Sequence, residues 1–224
     1  PSVALVYDRV NTSVGGAEQV LKALHELYPH APLYTSVYDK KEATWADSFT
    51  VIPSFLQYVP GAIRNHRWFM PLMPIVYEQH TFDRFDIIIS VSSAEAKGVI
   101  TKPHQLHICY LLTPTRYLYS HRDEYIDSAP WIIRPIIQYI LKYVTWWDQA
   151  AAFRPDVLLP ISERVAIRAK QYYPQTHIES PLYPPVTLST LPAQKIKHSA
   201  GNYLLCYGRL VAYKHYDEVI KTAQ

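Results

Sequence analysis

The stretch that decides the fold covers residues 3–28 and reads VALVYDRVNTSVGGAEQVLKALHELY. Its first five residues are apolar without alternation, which is the pattern of a parallel strand buried on both faces. Further along, apolar side chains recur at helical spacing and Pro29 ends the pattern; they are Ala17, Val20, Leu21, Leu24, Leu27 and Tyr28. The stretch therefore predicts a buried strand, a loop that contains Gly15 and Gly16, and an amphipathic helix.

Gly15 and Gly16 are two of only six glycines in the chain. Adjacent glycines at the start of a helix let another group come close to the backbone. The first turn of a helix offers free N–H groups and the positive end of the helix dipole, so a phosphate is the natural ligand. A tight turn without a ligand explains the pair equally well, and the glycines alone leave both interpretations open.

Strand and helix patterns alternate along the chain that follows. Strands are predicted at residues 32–38, 49–52, 86–92, 106–112 and 156–161, helices at 131–153 and 163–173, and a mixed helical and loop segment at 61–78. Such alternation is typical of right-handed crossovers in a doubly wound parallel sheet. We therefore predict an α/β, Rossmann-like fold with at least six parallel strands.

A segment rich in proline and lysine interrupts this pattern between residues 180 and 200. A new strand pattern follows at 203–207, and a helix pattern begins near Tyr213. One strand and one helix cannot form a domain by themselves. The predicted organisation is a Rossmann-like domain at 1–185, a linker at 186–202, and the first strand and helix of a truncated second domain at 203–224.

The composition indicates a globular protein. Hydrophobic residues make up 49% of the 224 residues and charged residues 18%, which is unlike a disordered chain. A net charge of +3 gives no support for nucleic acid as a partner, and no apolar run approaches the roughly 20 residues of a membrane span. Cys109 and Cys206 both lie in apolar, strand-like runs, so we expect buried, reduced thiols in a cytoplasmic protein.

Short motifs follow one another in order through nearly the whole chain. They are Tyr7-Asp8-Arg9, Gly15-Gly16-Ala17-Glu18, the segment 31–39, Ile89-Ser90-Val91-Ser92-Ser93, Ala96-Lys97-Gly98, His107-Ile108-Cys109-Tyr110, Thr113-Pro114-Thr115-Arg116-Tyr117, Trp147-Asp148, Ile161-Ser162, Tyr183-Pro184-Pro185-Val186 and the segment 207–214. In order and spacing the set resembles the family 4 retaining glycosyltransferases, especially the bacterial mannosyltransferase-like branch of surface polysaccharide synthesis.

The resemblance implies the GT-B fold, in which two Rossmann-like domains face each other across a cleft. This chain would supply the N-terminal, acceptor-side domain and the start of the donor-side domain. The implied reaction moves a hexose, with mannose as the first guess, from a nucleotide-diphosphate sugar to a glycan or lipid-linked acceptor. No cofactor and no metal are expected, because fixed cations can stabilise the leaving diphosphate and the ten histidines show no metal-ligand spacing.

Four residues are predicted to bind the donor diphosphate. Arg209 and Lys214 stand five residues apart, and in the family the equivalent pair holds the diphosphate, Arg as a fork and Lys as a point charge. The backbone N–H groups of Gly15 and Gly16 would approach the donor from the other wall of the cleft, where a side chain would block it. Glu18 is interpreted only as a favourable charge at the start of the helix.

The acceptor contacts are predicted at Asp8, which ends the first strand, and at Arg116 and Tyr117, which follow the fifth. Ligands of open parallel sheets bind beyond the carboxyl ends of the strands, where all three residues are expected. A structural role for Arg116, paired with Asp8 or Asp123, fits the sequence equally well.

The sequence departs from the family pattern at Leu112. Relatives have a histidine there, close to the reacting sugar, and leucine cannot donate the corresponding hydrogen bond; His121 is the nearby residue that could compensate. Leu112 motivates the alternative of a non-catalytic binding module derived from the same fold. A second alternative, an NAD-dependent enzyme, has Asp39 as its acidic residue but lacks the Gly-x-Gly-x-x-Gly spacing.

Two segments bear on a peripheral contact with the inner face of a membrane. Residues 64–70 mix basic and aromatic side chains, which suits a bilayer surface. The helix pattern at 131–147 places Ile133, Ile137, Leu141 and Val144 on one stripe, and we predict that this helix faces the core of the domain.

Overall fold

The structure is a computed structural model that describes residues 1–186, 205–206, 208 and 215–223. The chain divides into two units, Pro1–Val186 and Thr187–Gln224. Val186 thus closes the first unit, whereas the rest of the predicted linker at 186–202 lies outside the described residues.

One sheet of six parallel strands forms the centre of the first unit. Its strands are β1 (Val3–Tyr7), β2 (Leu33–Thr35), β3 (Val51–Pro53), β4 (Ile87–Ser92), β5 (Leu106–Leu111) and β6 (Val157–Pro160). They lie in the order β3-β2-β1-β4-β5-β6, and every neighbouring pair is parallel. The strand order therefore reverses between β1 and β4. This arrangement confirms the predicted α/β, Rossmann-like doubly wound sheet.

Five helices of the first unit lie between strands or, for the last of them, after β6. They are α1 (Gly16–Leu27), α2 (Met73–Glu78), α3 (Arg122–Asp127), α4 (Arg134–Ala151) and α5 (Glu163–Tyr172). Short 3-10 turns add to them at Thr44–Ala46, Phe55–Tyr58, His66–Leu72, Ala96–Gly98 and Trp131–Ile133. The predicted helix at 131–153 is thus one 3-10 turn followed by α4.

The central strand β1 is buried on both faces, as its unbroken apolar run predicted. Leu5 packs with Leu21 of α1 on one face, while Val6 packs with Val76 and Tyr77 of α2 on the other. Leu5 and Val6 are 0% exposed, and burial of such a side chain stabilises the fold by about 1.5–3 kcal/mol. Two-sided burial fixes β1 at the centre of the sheet and so fixes the position of the residues that follow it.

Helix α4 buries only part of the predicted stripe. Leu141 and Val144 are 0% exposed and pack with Met70, but Ile133 is 42% exposed and Ile137 is half-buried. Ile137 nevertheless packs against the cluster that contains Leu141. The stripe therefore faces the core from Ile137 onward, as predicted, and the exposed member, Ile133, lies in the 3-10 turn before α4.

In the second unit the structure describes one helix, α6 (Tyr216–Thr222). Most of the strand predicted at 203–207 lies outside the described residues, but Leu205 and Cys206 are described and exposed. Burial of Cys206 was therefore a wrong prediction, whereas Cys109 is buried in β5. A unit of this size offers little apolar surface with which to cover a thiol.

Candidate functional site

The candidate site lies at the carboxyl ends of β1 and β4, where the strand order reverses. In open parallel sheets this is the position at which ligands bind. Four short segments make up this edge: residues 8–9 after β1, 93–98 after β4, 112–117 after β5, and the first turn of α1.

Asp8 does not offer a free carboxylate to an acceptor. The residue is 2% exposed, and its Oδ2 accepts hydrogen bonds from the Ser93 backbone N–H (2.6 Å) and hydroxyl (2.9 Å). Its Oδ1 accepts from the Ala96 N–H at 2.8 Å. Asp8 thus holds the turn after β4 against β1, and we correct its predicted role from acceptor contact to positioning residue.

Arg9, Glu95 and Tyr117 form a polar cluster beside Asp8. The Tyr117 hydroxyl donates to Glu95 Oε1, and Arg9 lies 4.0 Å from Glu95 Oε2 with a side chain that is 27% exposed. That Oε2 is buried and has no hydrogen-bond partner within the described residues. Burial raises the pKa of Glu95 while Arg9 opposes the rise. The cluster therefore presents a partly exposed guanidinium backed by a buried carboxyl group.

A second, fully buried network fixes the turn that carries Glu95. Lys97 Nζ donates to Asp148 of α4 at 2.5 Å and to the Ala94 carbonyl at 2.6 Å, and both charged residues are 0% exposed. The hydroxyls of Thr115 (2.7 Å), Tyr119 (2.9 Å) and Tyr173 (2.8 Å) also donate to the Asp148 carboxylate. Burial, and then the charge of Asp148, raise the pKa of both tyrosines, so they remain protonated donors. The network joins the turn, α4, the segment after β5 and the end of α5.

Gly98, which ends the same turn, is required by packing. A Cβ atom at Gly98 would lie 2.3 Å from the Trp147 ring of α4, far inside van der Waals contact. The Trp147 indole N–H donates to Glu78 at 2.7 Å, and Arg154 pairs with the same carboxylate at 2.5 Å. The Ala96-Lys97-Gly98 and Trp147-Asp148 motifs therefore meet in space and act as one structural unit.

The glycine pair at the start of α1 behaves differently at its two positions. The Gly15 N–H donates to Glu18 Oε2 at 2.8 Å, and Tyr7 donates to Glu18 Oε1 at 2.7 Å. A Cβ at Gly15 would lie 2.8 Å from the same carboxylate, whereas a Cβ at Gly16 would meet no heavy atom within 4 Å. The Gly15 N–H is therefore occupied by Glu18 in this conformation, its predicted contact with the donor stays a prediction, and the side chain of Glu18 does more than add a helix-end charge.

The remaining predicted residues lie as follows. Arg116 is exposed and its carbonyl accepts from the His121 N–H at 2.9 Å, while Leu112 is half-buried against the core cluster that contains Leu5. Arg209 and Lys214 lie outside the described residues. The structure therefore brings Asp8, Arg9 and Tyr117 together, and leaves the predicted cation pair as a prediction.

The sequence reading missed Arg9 and Glu95 as members of the site. Two signals were available: Arg9 directly follows Asp8 in the first motif, and Glu95 is a charged residue between two alanines just after the most apolar strand. Neither signal identifies the partner, because Arg9 and Glu95 meet only through the pairing of β1 with β4.

Three further observations concern the described part of the chain. A cavity of about 350 Å3 lies between α1 and the sheet, but its lining, which includes Leu24, Ile108 and Leu159, is aliphatic and aromatic. Among the described residues no group of three His, Cys, Asp or Glu side chains is placed to hold a metal ion. The described helices also include none long and apolar enough to cross a bilayer.

The fold defines the first unit as a Rossmann-like α/β domain with a cluster of polar side chains beside its strand-order reversal. No protein-family model matches the chain, and no curated protein matches it.

Proposed function

We propose that the chain is the acceptor-side domain, with the beginning of the donor-side domain, of a metal-independent retaining glycosyltransferase of the GT-B kind. It would transfer a hexose, mannose-like as a first guess, from a nucleotide-diphosphate sugar to a glycan or lipid-linked acceptor. The motif order set out above motivates the proposal, and the parallel sheet with its reversal between β1 and β4 is the framework it requires.

The observation that carries the proposal is the open first turn of α1. Neither the backbone of Gly16, which has no positive φ, nor its surroundings require a glycine, since a Cβ there would meet nothing within 4 Å. A ligand that must touch the backbone at this point supplies the missing reason. The first N–H groups of a helix lack intrahelical acceptors, and they are suited to a phosphate or a sugar hydroxyl.

Glu18 determines which group of the donor can approach each N–H at the start of α1. Its carboxylate occupies the Gly15 N–H, so an anionic phosphate at Gly15 would meet a negative charge at hydrogen-bond distance. The phosphate is therefore expected at the N–H groups of Gly16 and Ala17, and a neutral sugar hydroxyl nearer Gly15. Arg209 and Lys214 are proposed to supply the positive charge that stabilises the leaving diphosphate.

On the acceptor side, the partly exposed guanidinium of Arg9 takes the role first predicted for Asp8. An arginine fork binds hydroxyl, carboxylate or phosphate oxygens of an acceptor, and Arg116 and Tyr117 are proposed to flank it. Asp8 and Glu95 hold this arrangement from behind. A cytoplasmic location and the absence of nucleic acid as a partner remain parts of the proposal.

The test is sugar transfer or donor hydrolysis by the intact protein and by three variants. Arg209→Ala and Lys214→Ala should each lower turnover about a hundredfold, because one transition-state charge contact is worth on the order of 3 kcal/mol. Gly16→Val should weaken donor-dependent activity by steric block with little change in thermal midpoint. Lys221→Ala, which removes an exposed charge from α6, is the matched control and should retain activity.

Normal turnover of both cation variants would remove the transferase proposal. The non-catalytic binding module, motivated by Leu112, would then take its place if donor or glycan still bound. For the NAD-dependent alternative, the eight residues from Asp8 to Gly15 between β1 and α1 are longer than the tight turn of the dinucleotide fingerprint. The Asp39 carboxylate, moreover, accepts the N–H of Lys41 at 3.0 Å.

A further inference from the structure

Helix α4 and the turn before it carry a second apolar stripe that points away from the core. Its six members are exposed, at Trp131 (77%), Ile132 (67%), Ile136 (61%), Tyr139 (77%), Tyr143 (43%) and Trp146 (67%). From Ile132 the spacings are four, three, four and three residues, which places these side chains along one helical face. We call these six residues the outer stripe.

The outer stripe is additional to the inner stripe that packs on the core. Leu141 and Val144, on the other side of α4, are fully buried with Met70, Leu118 and Ile126. The helix is therefore already anchored, and its orientation does not explain the exposed residues. With 150–250 Å2 for each aromatic side chain, the four aromatic members alone expose roughly 500 Å2. That area reaches the size at which an exposed apolar patch marks an interaction site.

A neighbouring turn extends the aromatic character of this surface. The turn His66–Leu72 packs on α4, and its Met70 lies in the same cluster as Leu141. Trp68 of this turn is 83% exposed, and the exposed Arg64 precedes it.

Within the segment that carries the outer stripe, the charged residues are basic. No Asp or Glu occurs between residues 128 and 147, whereas Arg134 and Lys142 do. Lys142 is exposed and lies beside Tyr139 and Tyr143 on the helix, where its stem can cover apolar surface while the ammonium group reaches outward. Arg134 is paired with Asp127 of α3 at 3.2 Å, so Lys142 and Arg64 are the cations expected to respond to an external anion.

We propose that the outer stripe is a membrane-docking face: α4 lies in the plane of an anionic bilayer surface with its tryptophans and tyrosines at headgroup level. Tryptophan and tyrosine favour this depth because one part of each ring is apolar and the other is a hydrogen-bond donor. A helix with an aromatic and aliphatic face flanked by lysine and arginine is the form that lies on a bilayer. The docking is independent of the transferase proposal, and it extends the predicted membrane contact from residues 64–70 to α4.

A second copy of the chain is the competing occupant, and the charge pattern decides against it. Two identical stripes would bring Lys142 towards a segment that has no Asp or Glu between residues 128 and 147, whereas anionic lipid supplies the opposite charge.

The experiment is co-sedimentation of the full chain with vesicles of phosphatidylcholine alone and of phosphatidylcholine mixed with phosphatidylglycerol, without any nucleotide sugar. We expect binding to the mixed vesicles, accompanied by a blue shift of tryptophan fluorescence. The triple variant Trp131→Ser, Ile136→Ser, Trp146→Ser should lose binding by about tenfold or more. Lys142→Glu should weaken binding to the mixed vesicles and make the remainder less sensitive to salt.

The matched control is Val144→Ala, on the buried side of the same helix. It should lower the thermal midpoint and leave vesicle binding unchanged, which separates docking from loss of fold. Equal vesicle binding by the wild type and the triple variant would overturn the proposal. The proposal would also be overturned if sedimentation velocity showed a concentration-dependent dimer that the triple variant abolishes, while neither form binds vesicles. The face would then be an interface between two copies.

Discussion

The buried pair of Lys97 and Asp148 provides the sharpest test of how the site is held in place. Asp148→Asn keeps the shape of the side chain but removes its charge, so Lys97 remains in an interior where it is 0% exposed without a counter-ion. The new amide also presents N–H donors towards the hydroxyls of Tyr119 and Tyr173, which are themselves donors to Asp148. Breaking one partner of a buried ion pair costs about 3–5 kcal/mol.

The measurement is urea and thermal unfolding at pH 7.5. For a domain of this size the loss corresponds to a fall of roughly 6–20 °C in the midpoint, at 2–4 °C for each kcal/mol. The matched control is Asp83→Asn, which breaks a 2.8 Å pair with Lys102 whose side chains are 64% and 53% exposed. That variant should lose no more than about 1 kcal/mol.

A double variant, Lys97→Met with Asp148→Leu, distinguishes the effect of the charges from the effect of side-chain packing. Because neither charge remains buried alone, it should be more stable than either single change. If Asp148→Asn were no more destabilising than Asp83→Asn, the pair would not hold the turn after β4. Glu95 would then be positioned by other contacts than this pair.

Three further results are expected. Burial lowers the pKa of both His80 and His107 from 6.5 to about 4, so the unfolded chain binds more protons and stability falls as the pH drops from about 6.5 towards 4. At pH 5 each histidine should lower the free energy of unfolding by about 2 kcal/mol. His80→Phe should remove its share of the pH dependence of that free energy, measured by urea unfolding at several pH values. An unchanged pH dependence would contradict the assignment. In thiol titration of the native chain, Cys206 should react. Cys109 should not, because burial raises its pKa to about 12. Two fast-reacting thiols, or one that still reacts after Cys206→Ser, would contradict the burial of Cys109. Sugar transfer by the intact protein should survive chelator, and loss of activity with rescue by magnesium would disprove the metal-independent mechanism.

The sequence by itself determined the architecture of the first unit. The apolar run at Val3–Tyr7 is buried throughout, and the helix predicted after Gly16 begins there and ends at Leu27. These elements are readable because side-chain periodicity is a local property: period two, period 3.6 or an unbroken run each correspond to one pattern of burial. Alternation of the elements then leaves few ways to connect a parallel sheet.

Tertiary structure alone decided which polar residues at the sheet edge are available. Asp8 and Glu95 are both acidic residues next to a strand, yet Asp8 is saturated by the turn 85 residues away, and Glu95 keeps one buried oxygen that has no hydrogen-bond partner among the described residues. For α4, which has apolar residues on two sides, the sequence indicated the side of Leu141 and Val144, and the contacts with Met70 and Leu118 show what covers it. A carboxylate's partners and a helix's buried face depend on segments far apart in sequence, which are brought together only by strand order and register. No local pattern in the sequence carries that information.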